Sequence, residues 1–326
     1  MKRLSKTLLY CATFLLGLMP LQASFATGYP DKPVTLIVPY PAGGGADTIG
    51  RMVSQVLGEH FDVPFTVLNV PGAGTIIGAQ SLLKAKPDGY TLMLAPNNQL
   101  TMLPALHEKL PFDPATSFDY ITTVATIYYA MAVPNDSPIT TLQELIDMAK
   151  SQPGVLNYSS CGPGSGCNVA AEYFKSLTQT DITHIPYQGT APATAALLGS
   201  QVDVAFDTAT GLAPLINAGK IKGLAIPENE RLPFLADVPT VVEAGTPEFI
   251  FNTWQGLVAP QGTPEHVIQT INSAWQQLSK EESTKKRFAD RGIGIRASTP
   301  EAYKEDVLAD VIKWGKVIKE AGIVIN

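Results

Sequence analysis

The segment Pro41-Ala42-Gly43-Gly44-Gly45-Ala46-Asp47-Thr48 lies between an apolar run and a helical pattern. Glycines let the backbone come close to a bound molecule, and the unpaired N–H groups of a first helical turn attract anions. The chemistry this implies is capture of a small acid by backbone donors, because the loop holds no nucleophile, base or metal ligand. Asp47 reads either as a ligand contact or as a helix-capping group. Asp207, at a strand end, reads as a ligand contact or as a loop hydrogen-bonding group. Ser165 sits among glycines, but a nucleophile elbow needs glycine two positions before and after its serine, where this chain has Pro163 and Cys167. Gly72-Ala73-Gly74-Thr75-Ile76-Ile77-Gly78 imitates a dinucleotide fingerprint, yet the next strand ends Leu94-Ala95-Pro96-Asn97 with no acid for a ribose. The four histidines are scattered and no Gly-Lys-Ser/Thr occurs, so no metal, nucleotide or other cofactor is expected.

The elements that must position these loops read as repeated strand-then-helix units. Val34–Val38, Phe65–Val70 and Tyr90–Leu94 read as strands, with helical patterns over Ile49–Leu57 and Ile76–Ala85. A second set begins at Tyr128–Val133. It continues through a helix at Thr141–Ala149 capped by Thr140 or Thr141, a strand at Val155–Tyr158 and a helix at Val169–Leu177. A strand at Ile182–Pro186, a helix at Ala193–Leu198 and a strand at Val202–Phe206 follow. Beyond Ile226 prolines punctuate a less regular stretch, which ends in helices at Pro264–Leu278 and Pro300–Ala321. Alternation of this kind predicts an α/β fold of two facing lobes, each a mainly parallel sheet flanked by helices, with the ligand in the cleft. Tyr40, Tyr187 and Trp254 read as pocket walls or as core.

Lys2, Arg3 and Lys6, the apolar Leu8–Leu18 and Ser24-Phe25-Ala26 read as a signal peptide over 1–26, cut after Ala26. Its apolar stretch is too short to span a bilayer, so an exported protein without membrane insertion is expected. The formal charge of −6 becomes more negative once those three cations are removed, which disfavours nucleic acid as a partner. Cys161 and Cys167 then remain in an oxidising compartment, bracketing Gly162-Pro163-Gly164-Ser165-Gly166, and are predicted to form a disulfide.

Taken in order, several segments resemble the extracytoplasmic solute receptors of the tripartite tricarboxylate transporter system, the Bug receptors. They are Tyr29-Pro30-Asp31-Lys32-Pro33, Val38 to Asp47, Asn69-Val70-Pro71-Gly72-Ala73-Gly74, Lys86-Pro87-Asp88-Gly89-Tyr90-Thr91, Pro186-Tyr187-Gln188-Gly189, Gly199-Ser200-Gln201-Val202-Asp203, Phe206-Asp207, Ala218-Gly219-Lys220 and Asp237-Val238-Pro239-Thr240. The resemblance implies a type II-like periplasmic binding protein with lobe I at 27–128 and 228–326 and lobe II at 129–227. It implies a non-enzymatic receptor, monomeric, that closes on a small carboxylate and delivers it to membrane transporter subunits. The alternatives are a carboxylate sensor presenting its ligand to a membrane signalling protein, or an exported hydrolase. The implied first-lobe contacts are Tyr40, Pro41, Ala42, Gly43, Gly44, Gly45 and Asp47, faced by Gly189, Thr190, Ala191 and nearby Asp207. Asn97, Ser165 and Asn168 complete the candidate ligand set. Asn168 stands where many relatives carry histidine, and Ala196 where many carry aspartate.

Overall fold

The computed structural model describes residues 28–320, so the expected signal peptide lies outside the described residues. In chain order the first elements are β1 (Val34–Val38), α1 (Gly45–Phe61), β2 (Phe65–Asn69), α2 (Ile76–Leu83), β3 (Thr91–Pro96), α3 (Leu103–Leu106) and β4 (Phe118–Pro134). Then come α4 (Leu142–Ser151), β5 (Asn157–Ser160), α5 (Gly166–Thr178), β6 (Thr183–Pro186), α6 (Thr190–Leu198), β7 (Val204–Thr208), α7 (Ala209–Asn217) and β8 (Ile221–Ala225). The last are β9 (Asn252–Pro260), α8 (Glu265–Leu278), α9 (Glu282–Ala289), β10 (Gly294–Ile295) and α10 (Pro300–Glu320).

The strands run in the order β2-β1-β3-β9-β4-β7-β5-β6, with β8 and β10 also paired to β4. β4 is the shared element. Its residues up to Tyr128 pair with β9, and Tyr129 to Ala132 pair with β7. One strand therefore serves two sheets, one in each lobe. The expected parallel pairing is found among β2, β1 and β3 and among β6, β5 and β7. It gives way to antiparallel pairing at β9 and β4, so each sheet is mixed rather than mainly parallel. In the first sheet the reason is that β9 arrives from far along the chain and inserts between β3 and β4; in the second it is β4 itself, which runs antiparallel to β7 and β8.

Each sheet is covered on both faces, as burial of both sides of a parallel strand requires. In the first lobe, α1 and α8 bury Ile49, Val53, Leu57, Ile271 and Trp275 against one face. The other face packs Ala79, Leu82, Tyr303 and Val307 from α2 and α10. In the second lobe α4 and α5 supply Leu145, Ala149, Val169 and Phe174, and α6 and α7 supply Leu197 and Leu212. α10 reaches both lobes, because its later residues Trp314 and Ile318 join the second-lobe core.

Local rules account for the best-placed boundaries. Thr141 caps α4 in a reciprocal capping box with Glu144, as expected from its spacing. The strand expected at Val155–Tyr158 begins two residues later, and Val155 is 64 % exposed. α3, α7, β8, β9, α9 and β10 are the elements that sequence pattern did not provide.

Candidate functional site

The anion-seeking loop is built from β1 into α1. Gly43 has φ +85°, a left-handed turn that favours glycine, and Gly44 caps α1 with no side-chain hydrogen bond. The first-turn N–H groups of α1 are thus left for an outside acceptor. Asp47 fastens the turn from behind. Its Oδ2 accepts from the Gly43 N–H (2.9 Å) and from Arg51 Nε (2.9 Å), and its Oδ1 from Asn69 Nδ2 (2.9 Å). Asn69 Nδ2 also donates to the Tyr40 carbonyl. Burial works to raise the Asp47 pKa, but the bonds from Arg51, Gly43 and Asn69 outweigh it and hold the carboxyl below its ordinary range.

Opposite stands the cysteine ring, closed by the Cys161–Cys167 disulfide. The ring feeds α5, whose cap Ser165 accepts from the Asn168 N–H and donates to the Gly162 carbonyl. Asn168 Oδ1 accepts from the Gly164 N–H, and its Nδ2 donates to Tyr158 Oη. Gly166 has no room for a side chain, since a Cβ there would lie 2.0 Å from Tyr129 Oη. Two further helices begin on this side: α6 after Gly189 (φ +109°) and α7 after Thr208, neither with a side-chain cap.

These loops enclose a cavity of about 290 Å³. The first turns of α1, α5, α6 and α7 all contribute to its wall, each carrying the partial positive charge of a helix N-terminus. Among the described residues that line it, none is Lys, Arg, His, Asp or Glu. The floor is β9, through Thr253 and Gln255, with Tyr129 from β4 beside it. Tyr129 Oη and Thr253 Oγ1 are hydrogen-bonded at 3.0 Å. Tyr40 Oη donates to Asn98 Oδ1, and Asn98 Nδ2 donates to the Gly164 carbonyl, so Asn98 links the first-lobe loop to the cysteine ring. Burial pushes the Tyr40 hydroxyl up to about 12, against a smaller lowering by Asn98, so it stays protonated at neutral pH.

Of the residues expected at the site, Tyr40, Pro41, Ala42, Gly43, Gly44, Gly45, Ser165, Gly189, Thr190 and Ala191 line this cavity. Asp47, Asn97, Asn168 and Asp207 do not; they stand behind its wall. Asp47 and Asn168 are turned back onto their own loops. Asn97 Nδ2 donates to Asp310 Oδ2, and it is the next residue, Asn98, that reaches the cavity. The chain is helical there, so adjacent side chains point in different directions. Asp207 Oδ1 accepts from the Thr208 N–H (2.6 Å) and Thr190 Oγ1 (3.1 Å), and lies 3.5 Å from the Cys167 sulfur. Burial raises its pKa to about 6, with the bonds from Thr208 and Thr190 working the other way. Of the three aromatic candidates only Tyr40 is a wall residue; Trp254 turns away to pack on Tyr303 and donates to Asp310. Sequence reasoning missed Asn98, Thr253 and Gln255. The alternating face of β9 was the signal for the last two, obscured by Gly256 and the surrounding prolines.

A two-lobed α/β fold with a cleft between sheets that share a strand is that of a periplasmic binding protein. The family model described as "tripartite tricarboxylate transporter family receptor" matches residues 49–323. A UPF0065 protein of Bordetella pertussis is 32% identical over 308 residues, 94% of each chain. Among solved structures, R. palustris Rpa4515 with adipate is 30% identical with a TM-score of 0.87, covering 91% of this chain and 99% of that one. MatC from Rhodopseudomonas palustris with bound malate is 29% identical with a TM-score of 0.82, covering 89% and 100%. The chain belongs to the tripartite tricarboxylate transporter receptor family, a family of solute receptors. No helix among the described residues is long and apolar enough to cross a membrane.

Proposed function

We propose that this protein is a periplasmic receptor that captures a small carboxylate between its lobes and hands it to a tripartite tricarboxylate-type membrane transporter. The observation that carries this reading is the convergence of four helix N-termini on a cavity whose lining holds no charged side chain. Such a cavity suits an anion stabilised by backbone donors and dipoles, and it offers a cation no carboxylate. Adipate and malate in related structures support the ligand class. In this reading lobe I comprises 27–128 and 228–326, lobe II comprises 129–227, and Gly44, Gly45, Gly189, Thr190 and Ala191 hold the ligand carboxylate. Asp47, Asn168 and Asp207 position those contacts. Ser165 acts as a helix cap, since its hydroxyl is engaged with Gly162 and Asn168, while the ring of His184 bonds Ser160 instead. We read the protein as a receptor without catalytic activity.

Ligand binding raises the melting temperature of the native state. A panel of mono-, di- and tricarboxylates and aromatic acids, each added singly, is expected to raise it for at least one acid. The neutral amide of that acid is expected to leave it unchanged. A panel that moves nothing, or an amide as effective as its acid, contradicts the carboxylate reading.

A further inference from the structure

Two carboxylates are buried among the described residues, and they are housed differently. Asp47 pairs with the Arg51 guanidinium. Asp207 is 1 % exposed, and hydrogen bonds rather than a cation are all that oppose the cost of its burial. Its Oδ1 accepts from Thr190 and Thr208, while its Oδ2 is sealed from solvent and has no hydrogen-bond donor. A bare carboxylate oxygen in that position is costly, and a proton removes the cost. Burial accordingly raises the carboxyl to about 6.

Asp207 does not reach the cavity, but Thr190, Thr208 and Cys167, the three residues against its carboxylate, all line it. Thr190 opens α6, whose first turn holds the ligand carboxylate in the reading above, and Thr208 caps α7. A carboxylate hydrogen-bonded at that wall lies about 6–8 Å from the one behind it, two hydrogen-bond lengths and a residue apart. At that separation and an effective dielectric of about 20, like charges repel enough to strengthen the hold of Asp207 on a proton about tenfold or more. The surroundings offer no other outlet. α6 and α7 carry no titratable side chain, and Asp203 lies before the far end of β7. β4 and β5 present Tyr129 and Tyr158, whose hydroxyls burial pushes well up. α5 presents Cys167, locked in the disulfide, and further along it Glu172 and Lys175 pair with each other. His184 of β6 stacks on the far side of Tyr158, and burial lowers it below its ordinary value.

We propose that Asp207 makes capture of the acid proton-linked: as the ligand carboxylate settles on the first turns of α6 and α7, Asp207 Oδ2 takes a proton from solvent, and the receptor binds an anion and a proton together. Coupling is reciprocal, so the acid is held most tightly where Asp207 is already protonated, at and below pH 6, and more weakly as pH rises. The inference rests on the carboxylate reading above and adds to it a second, protonic ligand.

The test is calorimetric titration of the full protein with benzoate, hexanoate, adipate and malate from pH 6 to 8, in phosphate and in Tris. For an acid that binds, affinity is expected to fall about five- to tenfold from pH 6 to 8, and the heat near pH 6.7 to depend on the buffer as uptake of about half a proton requires. Asp207→Asn keeps an acceptor for Thr190 and Thr208 and cannot ionise. It is expected to lose the proton uptake and to bind at pH 8 about fivefold more tightly than wild type. Independently of any variant, the Asp207 carboxyl carbon followed by NMR should move its titration midpoint up by about one pH unit or more when the acid saturates the protein. Affinity flat within about twofold, with heats indifferent to buffer, overturns the inference and leaves the carboxylate reading standing. An unmoved Asp207 midpoint, or a proton uptake that survives in Asp207→Asn, overturns it as well. If none of the four acids binds at any pH, the carboxylate reading fails and this inference falls with it.

Discussion

The two turns that face each other across the cavity solve one problem in two ways. In both, the third residue of the helix reaches back to the N–H of the residue before the cap: Asp47 to Gly43, and Asn168 to Gly164. In the first lobe the cap is Gly44, which leaves the helix donors open, and a buried carboxylate gathers the loop. In the second lobe the cap is Ser165, which takes the Asn168 N–H for itself, and a disulfide closes the loop covalently. The difference separates their roles: the glycine turn presents donors to an acid, while the cysteine ring presents a shaped, uncharged wall.

Filling the glycine turn should have the largest effect. A Cβ on Gly45 would sit 3.7 Å from Thr210 Oγ1 across the cleft, so Gly45→Leu places a bulky group where the lobes approach. Binding is expected to fall by about a hundredfold or more, while the melting temperature moves by only about 2–4 °C. Titration calorimetry and a thermal melt separate the two, and an affinity within about threefold of wild type would deny the turn its role.

Asp207, against the cysteine ring, gives a pH signature. Its folded pKa of about 6 exceeds the ordinary 3.8, so the folded state holds the proton more tightly than the unfolded chain. Stability is therefore lost as pH rises from about 4 to 6 and stays reduced above, by about 3 kcal/mol at most. Asp207→Asn retains an acceptor for Thr208 and Thr190 and removes the charge. Its stability relative to wild type, from urea melts, should climb between pH 4 and 6 and then level off. A flat difference would show that Asp207 carries no buried charge.

Removing the ring's covalent closure comes next. Replacing both cysteines by serine is expected to cost about 2–2.5 kcal/mol, the chain-entropy value for so short a ring. Losing the noncovalent knots sharpens the contrast. Asp47→Ala, which orphans the Gly43 N–H and takes one of its two acceptors from Asn69 Nδ2, should cost about 2 kcal/mol and weaken binding. Asn168→Ala should cost about 1 kcal/mol and affect binding less, because the disulfide still holds the ring. Equal losses of affinity in Asp47→Ala and Asn168→Ala would erase the distinction between the two turns.

The parts of this site that could be read from sequence were those written in contiguous residues. A buried strand, a glycine turn and an amphipathic helix form one local pattern, and Pro41 to Gly45 and Gly189 to Ala191 lie where that pattern put them. Side-chain direction was harder. Asp47 and Asn168 carry polar groups on the right loops, but the third position of a helix points back along its own chain. Asn97 and Asn98 differ only by the rotation between neighbouring helical residues. The floor was least legible, because β9 pairs with strands more than a hundred residues away. Its Gly256 reads as a strand breaker until the ring of Tyr303 is seen lying over it, where a Cβ would come within 2.4 Å.

The central claim is that backbone N–H groups of the two facing glycine turns hold the ligand's carboxylate. It is tested most directly by amide NMR on glycine-labelled protein, titrated with the acid that raises the melting temperature most. Saturable downfield shifts of Gly44 and Gly45, joined by Gly189, are the expected result. A tightly bound acid that leaves these three amides unmoved would contradict it.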